Sequence, residues 1–310
     1  MKTKVYITAV VAALTMAACQ NEEELTSPYL SDPDAVLVNP TLSGLQTRVN
    51  TEGNGDTWTM GDMIKVQNAT PGAIPGKDVA YYTYNGTAWS LTDADGTASE
   101  TAYLVWANGD NTFQAWYPAT AAFDAFTLPA VQNTEALLRS ADWMTAAPAP
   151  LAKPDNKTLP LTFEHRLAKV TVTINGYNSQ FAGTDVVSAP KFKLAGSELL
   201  NGVTIAGSAT EVEALLSAEA TLSNSPTITA VLCPGKYTAD TEFMTLTVGS
   251  DVLTVKVPDL LVNSGLETGK AYTFSLTVGK DKVEVTTVSV TDWNTATPKG
   301  DNPTMDEEQD

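Results

Sequence analysis

The chain has 310 residues, with 36 acidic against 18 basic side chains and a formal net charge of −18. With no basic cluster to offset that balance, nucleic acid and anionic membrane surfaces are excluded as partners, and the acidity mainly favours solubility. One histidine and two cysteines supply neither a multi-histidine metal site nor a disulfide framework, and the residues present assemble into no catalytic, cofactor-binding or metal-binding constellation.

Lys2 and Lys4 precede an apolar run from Val5 to Leu14, which ends in small residues before Cys19. This is the charge, core and cleavage-site order of a secretory signal, here residues 1–18. A membrane-spanning helix needs ~20 apolar residues, so the shorter run addresses the protein rather than spanning a bilayer. Thr15-Met16-Ala17-Ala18-Cys19 resembles a bacterial lipobox, with Met16 where leucine is commoner. Cys19 would then be lipidated and become the first residue of the mature chain, each acyl CH₂ buried in the outer membrane contributing ~0.8 kcal/mol. Read by charge alone, the following Gln20-Asn21-Glu22-Glu23-Glu24 is a solvated spacer. The remaining chain of about 290 residues is long enough for two domains.

From Tyr81 onward, short β-type runs alternate with Gly, Asn, Asp and Pro, the pattern of sandwiches or barrels. Ala80–Tyr84 and Ala88–Leu91 flank Asn85-Gly86, a pair suited to a hairpin turn. Thr101–Trp106 and Thr112–Tyr117 flank Asn108-Gly109-Asp110-Asn111 in the same manner. Leu161 to Ile174 reads as one long strand, with Ala168, Val170, Val172 and Ile174 on one face. Val212, Leu215 and Leu216 recur near helical spacing and predict a short helix over Glu211–Ala220. Ile228–Pro234 reads as a strand entering a turn, so Cys233 is expected to be a small buried hydrophobe rather than a nucleophile.

The clearest strands are Phe243–Val248, Leu253–Val257, Ala271–Val278 and Val283–Val290. In the last, Val283, Val285 and Thr287 alternate with Glu284, Thr286, Val288 and Val290, which puts apolar side chains on both faces. Beyond Trp293 the chain is polar, proline-containing and acidic, and residues 298–310 are expected to form a disordered tail. Turn residues Asn175 to Ser179 suggest a boundary between two consecutive β-sandwich domains, residues 49–176 and 177–297, behind a segment 19–48.

Several suggestive features resolve into structure rather than chemistry. His165 lies in a strand phrase with no nucleophile motif, so a hydrogen-bonded histidine at a sheet boundary is the expected role. Asp93-Ala94-Asp95-Gly96 lacks the later ligands of a calcium loop and reads as a turn. The six tryptophans stand at strand spacing, which is more often core than a sugar-stacking platform. Paired carboxylates alone could serve a glycosidase, yet nothing marks such a pair, and the chain reads as a non-enzyme.

The phrases Thr47-Arg48, Trp58 to Val66, Ala115-Trp116-Tyr117-Pro118, Asp142-Trp143-Met144, Leu161 to Val170, Gly269 to Phe274 and Val288 to Trp293, in this order behind a lipobox, resemble the fimbrillin family in its Mfa-like branch. The resemblance implies two transthyretin-like β-sandwich domains in a cell-surface fimbrial subunit, anchor or adhesin of anaerobic Gram-negative bacteria. It also implies that Glu22 to Glu24 belong to a surface-export signal, and that a trypsin-like cut after Arg48 removes the lipid-bearing segment with its first strand. A strand from the next subunit would fill the groove so opened, which is β-strand addition.

Leu37 to Leu45, with apolar Leu37, Leu42 and Leu45, could be the removable strand, and the strand bearing Val283, Val285, Val288 and Val290 the donor. On residues alone both are ordinary strands, and Arg48 is an exposed basic residue in a polar link. The expected partners are other fimbrial subunits. The alternative is a standalone surface lipoprotein that binds a glycan or a host protein as its receptor.

Overall fold

The computed structural model describes residues 28–43, 58–195 and 202–293. Its first eight strands are β1 (Leu37–Leu42), β2 (Met63–Asn68), β3 (Val79–Tyr84), β4 (Trp89–Thr92), β5 (Phe113–Tyr117), β6 (Phe126–Leu128), β7 (Met144–Ala146) and β8 (Thr158–His165). The remaining ten are β9 (Ala168–Tyr177), β10 (Val187–Lys193), β11 (Val203–Ile205), β12 (Glu211–Glu213), β13 (Leu215–Leu216), β14 (Thr227–Leu232), β15 (Glu242–Val248), β16 (Asp251–Lys256), β17 (Lys270–Val278) and β18 (Val283–Asp292). The all-β reading is borne out.

A seven-stranded sheet, in the order β1-β8-β7-β5-β2-β3-β4, encloses the first core. β2 and β8 alternate as one-sided burial demands, and Leu159, Leu161 and Phe163 of β8 share the core with Ile64, Val66, Ala80, Tyr82, Phe113 and Ala115. The second core lies between a five-stranded sheet, β13-β14-β9-β17-β18, and a four-stranded sheet, β12-β10-β15-β16. Val170, Val172 and Ile174 of the central β9 meet Phe192, Phe243, Leu246, Tyr272, Phe274 and Leu276 there. The short strands β6 and β11 pair in parallel beside this core.

Four expectations change. Leu161 to Ile174 is two strands, not one. β8 belongs to the first sheet and β9 to the second, and the division expected after Gly176 falls inside β9. Successive residues Leu167 and Ala168 are both fully buried, so the alternation changes phase there. The backbone is handed across by Arg166 N donating to Trp143 O (2.8 Å) and Gly269 N donating to Leu167 O (2.9 Å).

No hairpin joins 101–106 to 112–117. Val36 N donates to Leu104 O and Val105 N to Lys77 O, so the apolar run packs without entering a ladder with β5. Asn111 is fully buried, and its side chain ties the intervening loop together by accepting from Ala107 N at 2.8 Å and donating to Ala107 O and Gly109 O at 3.0 Å. The hairpin at Asn85-Gly86 does form, between β3 and β4. Gly86 takes φ +95°, and Asn85 Oδ1 accepts from the N–H groups of Thr87 and Ala88.

Glu211 to Ala220 is not a helix. Val212 is fully buried between outward Glu211 and Glu213, a period of two that the near-helical spacing of Val212, Leu215 and Leu216 conceals. Glu211 pairs with Lys193 and, at 3.8 Å, with Lys191 of the neighbouring β10.

The last expectation to change concerns β18. Tyr272, Phe274, Leu276 and Val278 of β17 are buried on the core face, and they stand opposite Val290, Val288, Val285 and Val283 respectively. Directly paired residues share a face, so all four valines point to the same side. The cause is a bulge: Leu276 pairs with Val285 but Ser275 with Thr287, and the extra residue Thr286 shifts the phase by one. Its hydroxyl donates to Ser275 O at 3.1 Å.

Candidate functional site

The two strands singled out in the sequence as removable strand and as donor both lie at sheet edges. β1 lies parallel to β8, with Leu37 opposite Thr158 and Leu42 opposite Phe163, at the end of the seven-stranded sheet. Pro40 in its middle suits an edge, where a missing N–H breaks no ladder. Its inward residues are Pro40 and Leu42, continuing from Val36 and half-buried Val38. Leu37 has the opposite parity, and Leu45 lies outside the described residues. The strand is stitched at both ends, Leu37 N donating to Lys157 O at 3.0 Å and Ser43 N to Phe163 O at 2.9 Å. Removing β1 would therefore bare the backbone of β8 from Thr158 to Phe163 and uncover Leu159, Leu161 and Phe163 behind it.

β18 is the edge of the five-stranded sheet. Val283 and Val285 pack half-buried against the second core. Val288 and Val290 face the same side but keep 39% and 42% of their surface exposed, so half of the apolar face of this strand is uncovered. The strand ends at Asp292, and the next residue, Trp293, is only 4% exposed.

Trp293 reaches the junction of the two cores. Its ring stacks on that of His165 with centroids 3.9 Å apart and planes 5° apart, and its backbone N–H donates to Gly269 O at 2.8 Å. His165, the last residue of β8, has a fully buried side chain whose Nδ1 lies 2.7 Å from Asp142 Oδ1. Arg166 sits over the Trp143 ring. Nearby, Asp62 accepts from Tyr117 Oη at 2.9 Å and from Thr59 N at 2.6 Å. Burial raises the Asp62 carboxyl above its usual range, and those two hydrogen bonds offset part of the rise. Sequence reasoning placed His165 as a hydrogen-bonded residue at a sheet boundary but missed its two partners. Both Asp142 and Trp293 stand inside the phrases that carry the family resemblance, and their meeting depends on contacts between residues far apart in sequence.

The proposed lipidation site Cys19 and processing site Arg48 lie outside the described residues. Among the described residues, no cluster of His, Cys, Asp and Glu could hold a metal ion, and no helix is long and apolar enough to cross a membrane. Cys233 is 1% exposed, and burial pushes its thiol up to about 12. Since the thiolate is the reactive form, labelling of Cys233 by a maleimide in the folded chain should be at least about a hundredfold slower than in urea. Comparable rates would contradict its burial.

The model of the family described as fimbrillin-like matches residues 47–293. Among solved structures, a candidate cell adhesion protein of Bacteroides uniformis ATCC 8492 is similar, with a TM-score of 0.59 and 21% identity over 84% of this chain and 100% of that one. A second, from Bacteroides ovatus ATCC 8483, has a TM-score of 0.59 and 15% identity over 86% of this chain and 100% of that one. At such identities the likeness is one of fold. No curated protein matches the sequence.

Proposed function

Because this chain belongs to the fimbrillin-like family, whose fimbrial and cell-adhesion role gives it a cell-surface setting, we propose that it is a fimbrial subunit or anchor that joins its neighbours by exchange of β-strands. In this reading the precursor is held at the outer membrane by lipid on Cys19 and cut after Arg48. β1 then leaves the edge of β8, and β18 of another copy takes its place.

The observation that carries the proposal is the asymmetry of the two edges. β1 covers core side chains and fills a six-residue register on β8, so its loss opens a groove rather than merely trimming an edge. β18 leaves Val288 and Val290 two-fifths exposed at home, so these side chains gain burial by moving into such a groove. Burying apolar surface contributes roughly 25 cal/mol per Å², and the ladder bonds that β18 loses at β17 are replaced at β8. An unpaired β8 edge would otherwise be an aggregation hazard.

The first test concerns the tether. Wild-type precursor made in a lipoprotein-processing Gram-negative host should sediment with the outer membrane and be cut by added trypsin on intact cells. Cys19→Ala should appear in the soluble fraction, because two or more acyl chains anchor stably whereas the polypeptide alone has no such hold. Equal membrane association of the two forms would contradict the lipid anchor.

A further inference from the structure

The strand that would accept a neighbour and the strand that would be donated are connected through β8, and the connection is visible residue by residue. Residues 158–163 of β8 have β1 as their ladder partner. The only β8 residues paired with β7 are Glu164 and His165, opposite Thr145 and Met144. Two residues after the last β1 partner, Phe163, the same strand presents the His165 ring on which Trp293 stacks. Trp293 in turn directly follows β18, whose residues from Glu284 to Asp292 are exposed apart from half-buried Val285. At its C-terminal half, β18 is therefore kept in place by its ladder with β17, by the exposed ion pair of Lys270 with Asp292 and by one buried anchor.

That anchor is one contact between distant parts of the chain. Among the described residues, His165 Nε2 and the Trp293 indole N–H have no hydrogen-bond partner, so stacking is what joins the two rings.

We propose that β8 couples the two strands: loss of β1 loosens β8, the loosened β8 withdraws His165 from Trp293, and β18 becomes free to leave. This rests on the strand-exchange reading and adds an order to it, since the donor strand stays at home until the acceptor groove is open. His165 and Trp293 are positioning residues in this scheme, and Asp142 holds the His165 ring in its stacking orientation through Nδ1.

Hydrogen exchange on the full uncut chain tests the coupling, with ladder formation after trypsin measured in parallel. Leu42→Ala weakens β1 from its buried end. It should speed exchange of the β18 amides about tenfold, with no change at the central strands β9 and β14, which serve as the folding control. Trp293→Ala should speed β18 exchange by a similar factor, and adding Leu42→Ala to it should produce little further change, because the connection is already cut. His165→Gln keeps a partner for Asp142 but removes the stacked ring, and should reproduce the Trp293→Ala result even if that variant folds poorly.

β18 exchange that ignores Leu42→Ala while β8 exchange rises would overturn the coupling, as would full additivity of the two substitutions. Ladders formed much faster by cut Trp293→Ala than by cut wild type would also overturn it, because loss of β1 should already have freed β18 in both, while leaving strand exchange standing. Absence of ladders from cut wild-type protein would defeat the strand-exchange reading, and the exchange data would still decide whether β1 and β18 are linked.

Discussion

Arg48→Ala is expected to leave the folded chain unchanged and to abolish the SDS-resistant ladders that trypsin treatment should produce from wild type. Arg48 is the first basic residue after Lys4, so a trypsin-like enzyme has no other place to separate β1 from the body of the protein without cutting within it. Exposed links between ordered elements are where such enzymes act. The substitution touches none of the described contacts, so the stability change should stay within about 0.5 kcal/mol. The effect on assembly should be complete, because the uncut β1 keeps the register from Leu37 to Leu42 occupied and a foreign strand has no free backbone to pair with. Denaturant titration and gel mobility after trypsin measure the two halves of this prediction separately. Ladders from the Arg48→Ala protein would contradict it.

The second large effect separates the donor from the acceptor. Val288→Asp with Val290→Asp places two carboxylates where the valines are 39% and 42% exposed in the free chain. There they reach water, and each should cost about 1 kcal/mol or less. In the groove left by β1 the same positions would face Leu159, Leu161 and Phe163, all fully buried. A carboxylate buried without a partner costs several kcal/mol. The double variant should therefore melt within a few degrees of wild type, be cut normally, and fail to polymerise. Charge is the operative property: Val288→Thr with Val290→Thr, which keeps shape and β propensity, should retain ladders at reduced yield. Unimpaired ladders from the aspartate variant would rule out β18 as the donor.

The sequence made the fold legible wherever burial is one-sided and local. β16 and β17 alternate cleanly, β15 does so from Met244 onward, and each was placed to within about two residues, the usual uncertainty of an element end. It failed where two sheets compete for one stretch of chain. Leu161 to Ile174 looks continuous because β8 and β9 are both well-alternating, and the change of phase at Leu167 and Ala168 has a cause only in the backbone bonds to Trp143 and Gly269. Glu211 to Leu216 misled for another reason: three apolar residues fit a helical spacing, while the pairing of Val212 with Phe192 on β10 is non-local and overrides it.

Candidate donor residues were legible as a set, but their common face was not. Without the bulge at Thr286, Val283 and Val285 oppose Val288 and Val290, and a bulge is a property of two strands rather than one. β1 was visible only in outline. Its inward set is Val38, Pro40 and Leu42 rather than Leu37, because register depends on a partner more than a hundred residues away. The stack of His165 on Trp293 had no local signature, as it joins the end of the first sheet to the end of the second.

Strand exchange is tested most directly with the donor reduced to a peptide. A synthetic segment spanning Val283 to Asp292, added to freshly cut protein, should bind one per chain and cap assembly, shifting the products from ladders to monomers. The same peptide with both aspartate substitutions should do neither, and the uncut chain should bind neither. Equal binding to cut and uncut chains, or full ladders in the presence of saturating wild-type peptide, would contradict the account.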